Sequence, residues 1–413
     1  MLRIVESRQA GRLLKRRAAR MTEAEEAVRP ILEAVRTRGD AALLEYAQKF
    51  DKLSRKSVAV PGAELQAAAS RLSPAFRKAV TTSAKNVKAY AKLQLPQVKK
   101  AQPSPGLKLS QIVRPLDSVA AYIPAGRYPL PSTVIMTVVP ALVAGVGNIM
   151  VCSPRPVDEI FGTASILGAT RVFEMGGAHA IAAFAYGTKT VPRADRIVGP
   201  GNIYVAAAKK MLAGEVGIDF VAGPTEILII AEEANPSWLA ADMLAQAEHD
   251  TDASAILLTT SRKLAEAVVA EVEKQLQTLP TAATARVAID KNSAVILVAN
   301  TSEAVELSNR FAPEHLSIHD AKLLPGIRHA GSVFVGATSP EAAGDYASGP
   351  NHVLPTSGAA RLRGGLSAAD YVKVISVQEL SGKALRALTP AITTLARAEG
   401  LEAHARSVEV RNA

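Results

Sequence analysis

SVAAYIPAGRYPLPSTVIMTVVPALVAGVGNIMVCSPRP, residues 118–156, is the stretch on which the fold turns. An apolar run, Val119–Ile123, is followed by prolines and a glycine. Next come the uncharged segment Thr133–Ala144, a Gly145-Val146-Gly147-Asn148 turn and a second apolar run, Ile149–Cys152. From Ser132 to Ser153 there is no charged residue, a run long enough to cross a bilayer. Pro140, Gly145, Gly147 and Asn148 interrupt it, so a buried helix, turn and strand of a soluble core account for it better than a membrane span. Two short apolar runs joined by a helical one predict a βαβ unit with parallel strands.

The alternation continues downstream. Arg171–Glu174 and Arg196–Val198 are further short strands, each followed by a helical stretch. Val221-Ala222-Gly223-Pro224-Thr225 reads as a hinge, and a second series follows it. That series is strand Glu226–Ala231, helix Ser237–Ala247, strand Ala253–Thr259, helix Lys263–Leu276, strand Ala294–Val298, helix Ser302–Phe311 and strand Gly331–Val335. Before residue 100 the chain reads as amphipathic helices, at Ala41–Phe50, Glu64–Leu72 and Ser73–Leu93, and after Ser367 as helix again with a polar tail. The fold class is therefore α/β, two lobes with helical extensions at both ends. A ligand cleft is expected at the carboxyl ends of the strands.

Composition narrows the function. With 413 residues, 48% of them hydrophobic, the chain can bury a large core in more than one domain. A net charge of +10 suits an anionic partner, but 4% aromatic residues and the absence of helix-turn-helix or zinc-finger spacing argue against nucleic acid. The lone cysteine, Cys152, excludes an intrachain disulfide and thiolate metal clusters, and its apolar strand makes it a buried thiol. Any metal must then rest on His, carboxylate or amide ligands, with seven histidines available. The N-terminus is Arg-rich like a transit peptide, but Glu6, Glu23, Glu25 and Glu26 and a continuous helical pattern favour a structural helix and a cytoplasmic protein.

Several clusters carry chemistry. Gln246 and His249 in QAEH share a helix face at i and i+3 and can offer an oxygen and a nitrogen to one metal ion, or form an ordinary helix end. Pro313-Glu314-His315 holds a carboxylate beside the best general base near neutral pH, or caps a helix. Gly344-Asp345-Tyr346-Ala347-Ser348-Gly349-Pro350-Asn351-His352 is a long polar loop with no regular period, of the kind that carries function. Glu399 and His404 lie too far apart to share one helical face, in what reads as an exposed tail. His319 and His329 are assigned to the surface. Gly176-Gly177-Ala178-His179 and Gly199-Pro200-Gly201-Asn202 each follow a strand and open a helix, where phosphate can bind, although neither is G-x-G-x-x-G.

Together AGPTE (Ala222–Glu226), QAEH, PEH, AGDYASGPNHVLPT (Ala343–Thr356) and EGLEAH (Glu399–His404) closely resemble the histidinol dehydrogenase family, in order and spacing. YIPAG (Tyr122–Gly126), CSPRP, GPGN, the N-terminal Arg pair and RGDAALLEYAQKFD extend the resemblance over nearly the whole chain. It implies zinc, one ion per subunit, held by Gln246, His249, Asp345 and His404, the last reaching over from the partner of a domain-swapped homodimer. It implies Glu314 as the water-activating acid and His315 as the general base. The substrate contacts would be Thr225, His352 and Glu399 together with Gln246, His249, His315, Asp345 and His404. NAD contacts would come from Tyr122, Asn202 and the turn at Gly176, where His179 stands in place of the family's usual Gln.

The resemblance also implies two incomplete Rossmann-like lobes. Residues 1–24 would be a helical extension packing with the C-terminal region. Residues 25–121 and 225–366 would form the lobe with metal and catalytic residues, 122–224 the NAD-binding lobe, and 367–413 a helical extension and tail reaching the partner. The implied reaction is the NAD-dependent four-electron oxidation of L-histidinol to L-histidine, with no nucleic acid or membrane partner. Another polar alcohol, such as a dihydroxypropanesulfonate, is the alternative within the family, and a zinc hydrolase is the alternative outside it.

Overall fold

Both alternating series close into parallel sheets in the computed structural model, which describes residues 1–13, 21–125 and 128–412. The Arg16-Arg17 pair and Gly126 of the YIPAG stretch lie outside the described residues. The first sheet runs Arg171–Glu174, Asn148–Ser153, Ser118–Tyr122, Arg196–Val198, Gly217–Ile218. The second runs Arg3–Glu6, Ala294–Leu297, Ser254–Thr259, Glu226–Ile230, His315–Ile318, Ser332–Val335. In the first sheet, and in the second from Glu226 onward, the chain enters centrally, winds to one edge, then returns and winds to the other. That is the order of the first five strands of the doubly wound nucleotide-binding fold, to which the second sheet adds Arg3–Glu6 at its edge. No described helix is long and apolar enough to cross a membrane.

The stretch at 118–156 shows why. Its helix spans Pro131–Ala144, opening on Pro131 and closing at Gly145 in the left-handed region, and ten of its residues are buried. Pro140 has no N–H, so the Met136 carbonyl one turn back loses its helical donor. The Asn351 side chain supplies the replacement at 2.6 Å. An interior proline thus fastens the Gly344–His352 segment to the first lobe. Cys152 is fully buried in its strand.

Four expectations are corrected. Residues 1–24 are not all helical: Arg3–Glu6 is a strand paired in parallel with Ala294–Leu297, an outer strand of the second sheet. The helices Met21–Arg38 and Asp40–Asp51 share a core with Gly177–Tyr186 and Ile203–Leu212, and Gly62–Arg71 and Pro74–Leu93 contribute to one with Pro131–Ala144 and Asp158–Leu167. The helices of residues 21–93 and the strand Ser118–Tyr122 therefore group with 123–224 and not with 225–366, because their apolar faces are buried there. Beyond Ser367 the chain is not simply helical, since Val372–Leu380 pairs antiparallel with Leu107–Pro115, which pairs in turn with Lys100–Ser104. Lys100–Ser104 and Val372–Leu380 are mostly exposed and Leu107–Pro115 is mostly half-buried, so none has the buried apolar run that marks a core strand in sequence. Finally, His319 and His329 are only partly at the surface, each half-buried.

Candidate active site

Helix Thr301–Phe311 ends at Ala312 in the left-handed region (φ 54°), and Pro313 turns the chain directly into strand His315–Ile318. Gly331 packs on this entry so closely that a Cβ there would lie 2.5 Å from the Glu314 carbonyl oxygen. Glu314 and His315 are thereby held, both buried, at the amino edge of the second sheet. The Glu314 carboxylate accepts from the Thr225 hydroxyl at 2.5 Å and from the Glu226 amide at 2.9 Å. Burial nonetheless pushes its pKa well above the usual carboxylate range, the two hydrogen bonds opposing the shift.

His315 is buried and neutral, its pKa pushed down to about 3 chiefly by desolvation. Its Nδ1–H donates to the Glu226 carbonyl at 3.3 Å, since a carbonyl can only accept, and this sets the tautomer. Glu341 Oε1 lies 3.4 Å from the same nitrogen. Nε2 is left with a lone pair and no hydrogen-bond partner, 3.8 Å from Asp345 Oδ1. A buried neutral imidazole with one nitrogen oriented and the other open is equipped to take a proton.

Helix Pro236–Ala247 follows the Glu226–Ile230 strand and runs back beside it, so its carboxyl end arrives at the same amino edge. The Gln246 amide there is fully buried, held 2.8 Å from both the Thr225 hydroxyl and a Glu341 carboxyl oxygen. His249 Nε2 lies 3.9 Å from Asp345 Oδ2. Asp345 is not in an irregular loop, as its sequence suggested, but in the short helix Glu341–Tyr346. Burial raises its pKa to about 6, and His249 opposes the shift. His249 Nε2 thus stands off this carboxylate at 3.9 Å, too far to hydrogen-bond. Tetrahedral ligand atoms around zinc sit roughly 3.3–3.5 Å apart, so this pair is close to the spacing of two ligands that share a cation. Donor atoms of His249, Glu341 and Asp345 all lie within 4.8 Å of one another.

The other lobe approaches from above this edge. His352 Nδ1–H donates to the Asp345 carbonyl at 2.9 Å, while Nε2 lies 3.1 Å from the hydroxyl of Thr133 on the Pro131–Ala144 helix. Burial lowers the His352 pKa to about 4. Tyr122 ends its strand at the carboxyl edge of the first sheet, its hydroxyl accepting from the Gly177 amide at 3.1 Å. The cleft therefore joins the carboxyl edge of one sheet to the amino edge of the other. The expectation of carboxyl ends holds for the first lobe only.

The glycine turns are not open phosphate cradles. At the first, the Gly176 amide donates to Asp51 at 2.8 Å, and the carboxylate fills the anion position at the helix start. At the second, Gly199 donates to Asp219 at 2.7 Å. Asn202 caps its helix by accepting from Tyr204 and Val205, both at 3.1 Å, which leaves its exposed side-chain amide N–H groups for a ligand.

A family model described as histidinol dehydrogenase matches residues 14–412. The chain belongs to the histidinol dehydrogenase family. It is 45% identical over 393 residues to the histidinol dehydrogenase of Vibrio parahaemolyticus, covering 93% of this chain and 91% of the relative. It is 46% identical over 404 residues to that of Geobacter sulfurreducens, covering 94% and 93%. The crystal structure of histidinol dehydrogenase from Elizabethkingia anophelis superposes with a TM-score of 0.95 at 35% identity, covering 99% of this chain and 98% of the other.

Of the positions that resemble histidinol dehydrogenase motifs, Thr225, Gln246, His249, Glu314, His315, Asp345 and His352 converge on one cluster. Glu399 and His404 do not join it. Glu399 is exposed at the end of helix Gly382–Ala398, and His404 is exposed on helix Glu402–Glu409, which packs against that helix. Two of the cofactor-side positions are buried: His179 is 1% exposed with its ring 2.8 Å from buried Asp51, and Tyr122 is 3% exposed. Sequence reasoning missed Glu341, whose one signal was its position one turn before Asp345.

Proposed function

We propose that this histidinol dehydrogenase family member oxidises L-histidinol to L-histidine in two NAD-dependent steps through L-histidinaldehyde, closing histidine biosynthesis in the cytoplasm. The observation that carries the reading is the buried, neutral His315 with an unpartnered Nε2, 3.8 Å from the Asp345 carboxylate. Gln246, His249, Asp345 and His404 of the partner subunit would hold zinc, one ion per subunit. Zinc, when bound, supplies a Lewis-acid anchor for the substrate's nitrogens. NAD, held on the Tyr122 and Asn202 side, supplies the hydride acceptor.

The chain's own residues move the protons. Nε2 of His315 takes the alcohol proton as the carbon gives up its hydride, forming the aldehyde. For the second step water adds to the aldehyde carbon, and Glu314 takes the proton that the water loses. The hydrate then gives up a second hydride while His315 removes the remaining hydroxyl proton. Thr225 and His352, with Glu399 of the partner subunit, orient the substrate, a role that proximity makes worth several powers of ten.

A homodimer follows from the same reading. Val374, Ile375 and Val377 on one strand and Leu395 and Leu401 on the C-terminal arm are exposed apolar residues that a second copy would cover. The arm that carries Glu399 and His404 would then complete the partner's site.

The decisive measurement is NADH release from purified protein with L-histidinol. Two NADH per substrate, lost on chelation and restored by zinc, is the expected result. No NADH, or turnover indifferent to the chelator, overturns the reading. Glu314→Gln is expected to slow oxidation of supplied L-histidinaldehyde by about 10²–10³ while slowing the alcohol step much less, because only the second step needs activated water. Equal losses in both steps would remove the water role.

A further inference from the structure

Lys209 and Asp219 form an ion pair with almost no exposure, 3% for the lysine side chain and none for the aspartate. Neither belongs to the site described above. Both are directed at one residue, Gly199. The Gly199 amide donates to Asp219 Oδ2 at 2.7 Å, and Lys209 Nζ donates to the Gly199 carbonyl at 3.0 Å. The other carboxylate oxygen receives Lys209 Nζ and the Phe220 amide, the latter at 2.6 Å.

Gly199 stands where position matters. It follows the strand Arg196–Val198, next to Ser118–Tyr122, at the point where the winding of the first sheet reverses and nucleotides bind in such folds. Its φ is +106°, and a Cβ would lie 2.2 Å from the Tyr122 carbonyl oxygen, so the turn is pressed directly onto the end of the central strand. Three residues later Asn202 caps the helix that carries Lys209. The pair therefore grips both peptide groups of the residue that aims Asn202 into the crevice. An ion pair buried this deeply is seldom a source of stability in itself.

We propose that Lys209 and Asp219 are positioning residues for the dinucleotide, fixing the Gly199–Asn202 turn so that Asn202 meets NAD without reorganisation. This deepens the reading that NAD binds at the carboxyl edge of the first sheet, and rests on it. It predicts a defect confined to one substrate. Asp219→Asn and Lys209→Met should each weaken NAD binding, measured by titration calorimetry without histidinol, about tenfold or more. The KM for L-histidinol and the zinc content should not change. Without NAD, amides from Gly201 to Val205 should exchange hydrogen faster than in the wild type.

The double variant Lys209→Met/Asp219→Asn leaves no charge unpaired in the core, so its Tm should recover toward wild type while NAD stays weakly bound, the Gly199 carbonyl having lost its donor. It also carries the test if a single variant fails to fold. NAD affinity equal to wild type in a folded variant, or affinity that recovers together with Tm, overturns the proposal. Asn202→Ala, measured alongside, separates the two levels. If it weakens NAD and the pair variants do not, only the positioning role fails. If it leaves NAD binding intact, the site lies elsewhere and both readings fall.

Discussion

A His315→Ala variant is expected to lose about 10³–10⁴ of its rate in both oxidations while keeping its zinc, as read by NADH release and metal analysis on the same preparation. The imidazole is the one group in the cluster with an oriented ring and an unused nitrogen. It is not in the proposed ligand set, so the metal should stay. Loss of zinc with activity would move His315 into the coordination sphere, and wild-type turnover would refute its role. The pH profile supplies a separate check. An ordinary histidine base gives an acid limb near pH 6.5 as it protonates. Here burial lowers the pKa to about 3, so the ring is already neutral at pH 5, and activity carried by it is lost only as pH falls toward that value. Asp345 shifts the other way, to about 6 in the metal-free chain, and the carboxylate needed to hold a cation is lost as pH falls through that value. An acid limb is therefore expected to track zinc release. A limb at 6.5 with zinc fully retained would contradict this assignment.

The second large effect is a rescue. His404→Asn and Gln246→Ala are each expected to be inactive, the first through weakened zinc binding, the second through loss of a buried amide at the centre of the cluster. Unfolded together and refolded, they should regain activity. In a mixed dimer, one site combines both defects and the other combines an intact Gln246 with the intact His404 of the partner subunit. Random pairing makes half of the dimers mixed, so about a quarter of wild-type activity returns if arms are exchanged within a two-fold dimer. If each chain used its own His404, no pairing would restore a site, and the mixture would stay inactive. Exposure of His404 on an arm outside the described cluster is what makes the first outcome the expected one.

Where the sequence was legible, the reason is local. Arg171–Glu174 and Arg196–Val198 are strands with the bounds that their apolar runs suggested, because the apolar residues within them, Val172, Phe173, Ile197 and Val198, are all buried between sheet and helices. Val372–Leu380 was not legible, because an exposed antiparallel strand needs only a neighbour with free backbone groups, and Leu107–Pro115 lies far away in sequence. Arg3–Glu6 was read as part of a helix for the same reason, its partner being Ala294–Leu297. Within the site, Gln246, His249, Glu314 and His315 announced themselves by residue type and spacing. Glu341 did not, since a lone Glu at a helix start is common, and only the fold brings it to 3.4 Å from His315.

His179 is the clearest division between the two kinds of information. Its place after Gly176-Gly177 matched a cofactor contact, yet Asp51, from a helix more than a hundred residues earlier, draws the ring into the core. Local order in the chain determined two α/β lobes with parallel strands, the residue types of a metal and base site, and the family that their motifs resemble. The tertiary structure alone decided which sheet edge carries the chemistry, which histidine is neutral and open, and which carboxylates face it. Hydrophobic periodicity is a property of neighbours in sequence. Desolvation, tautomer and ligand geometry depend on what distant segments place within a few ångströms.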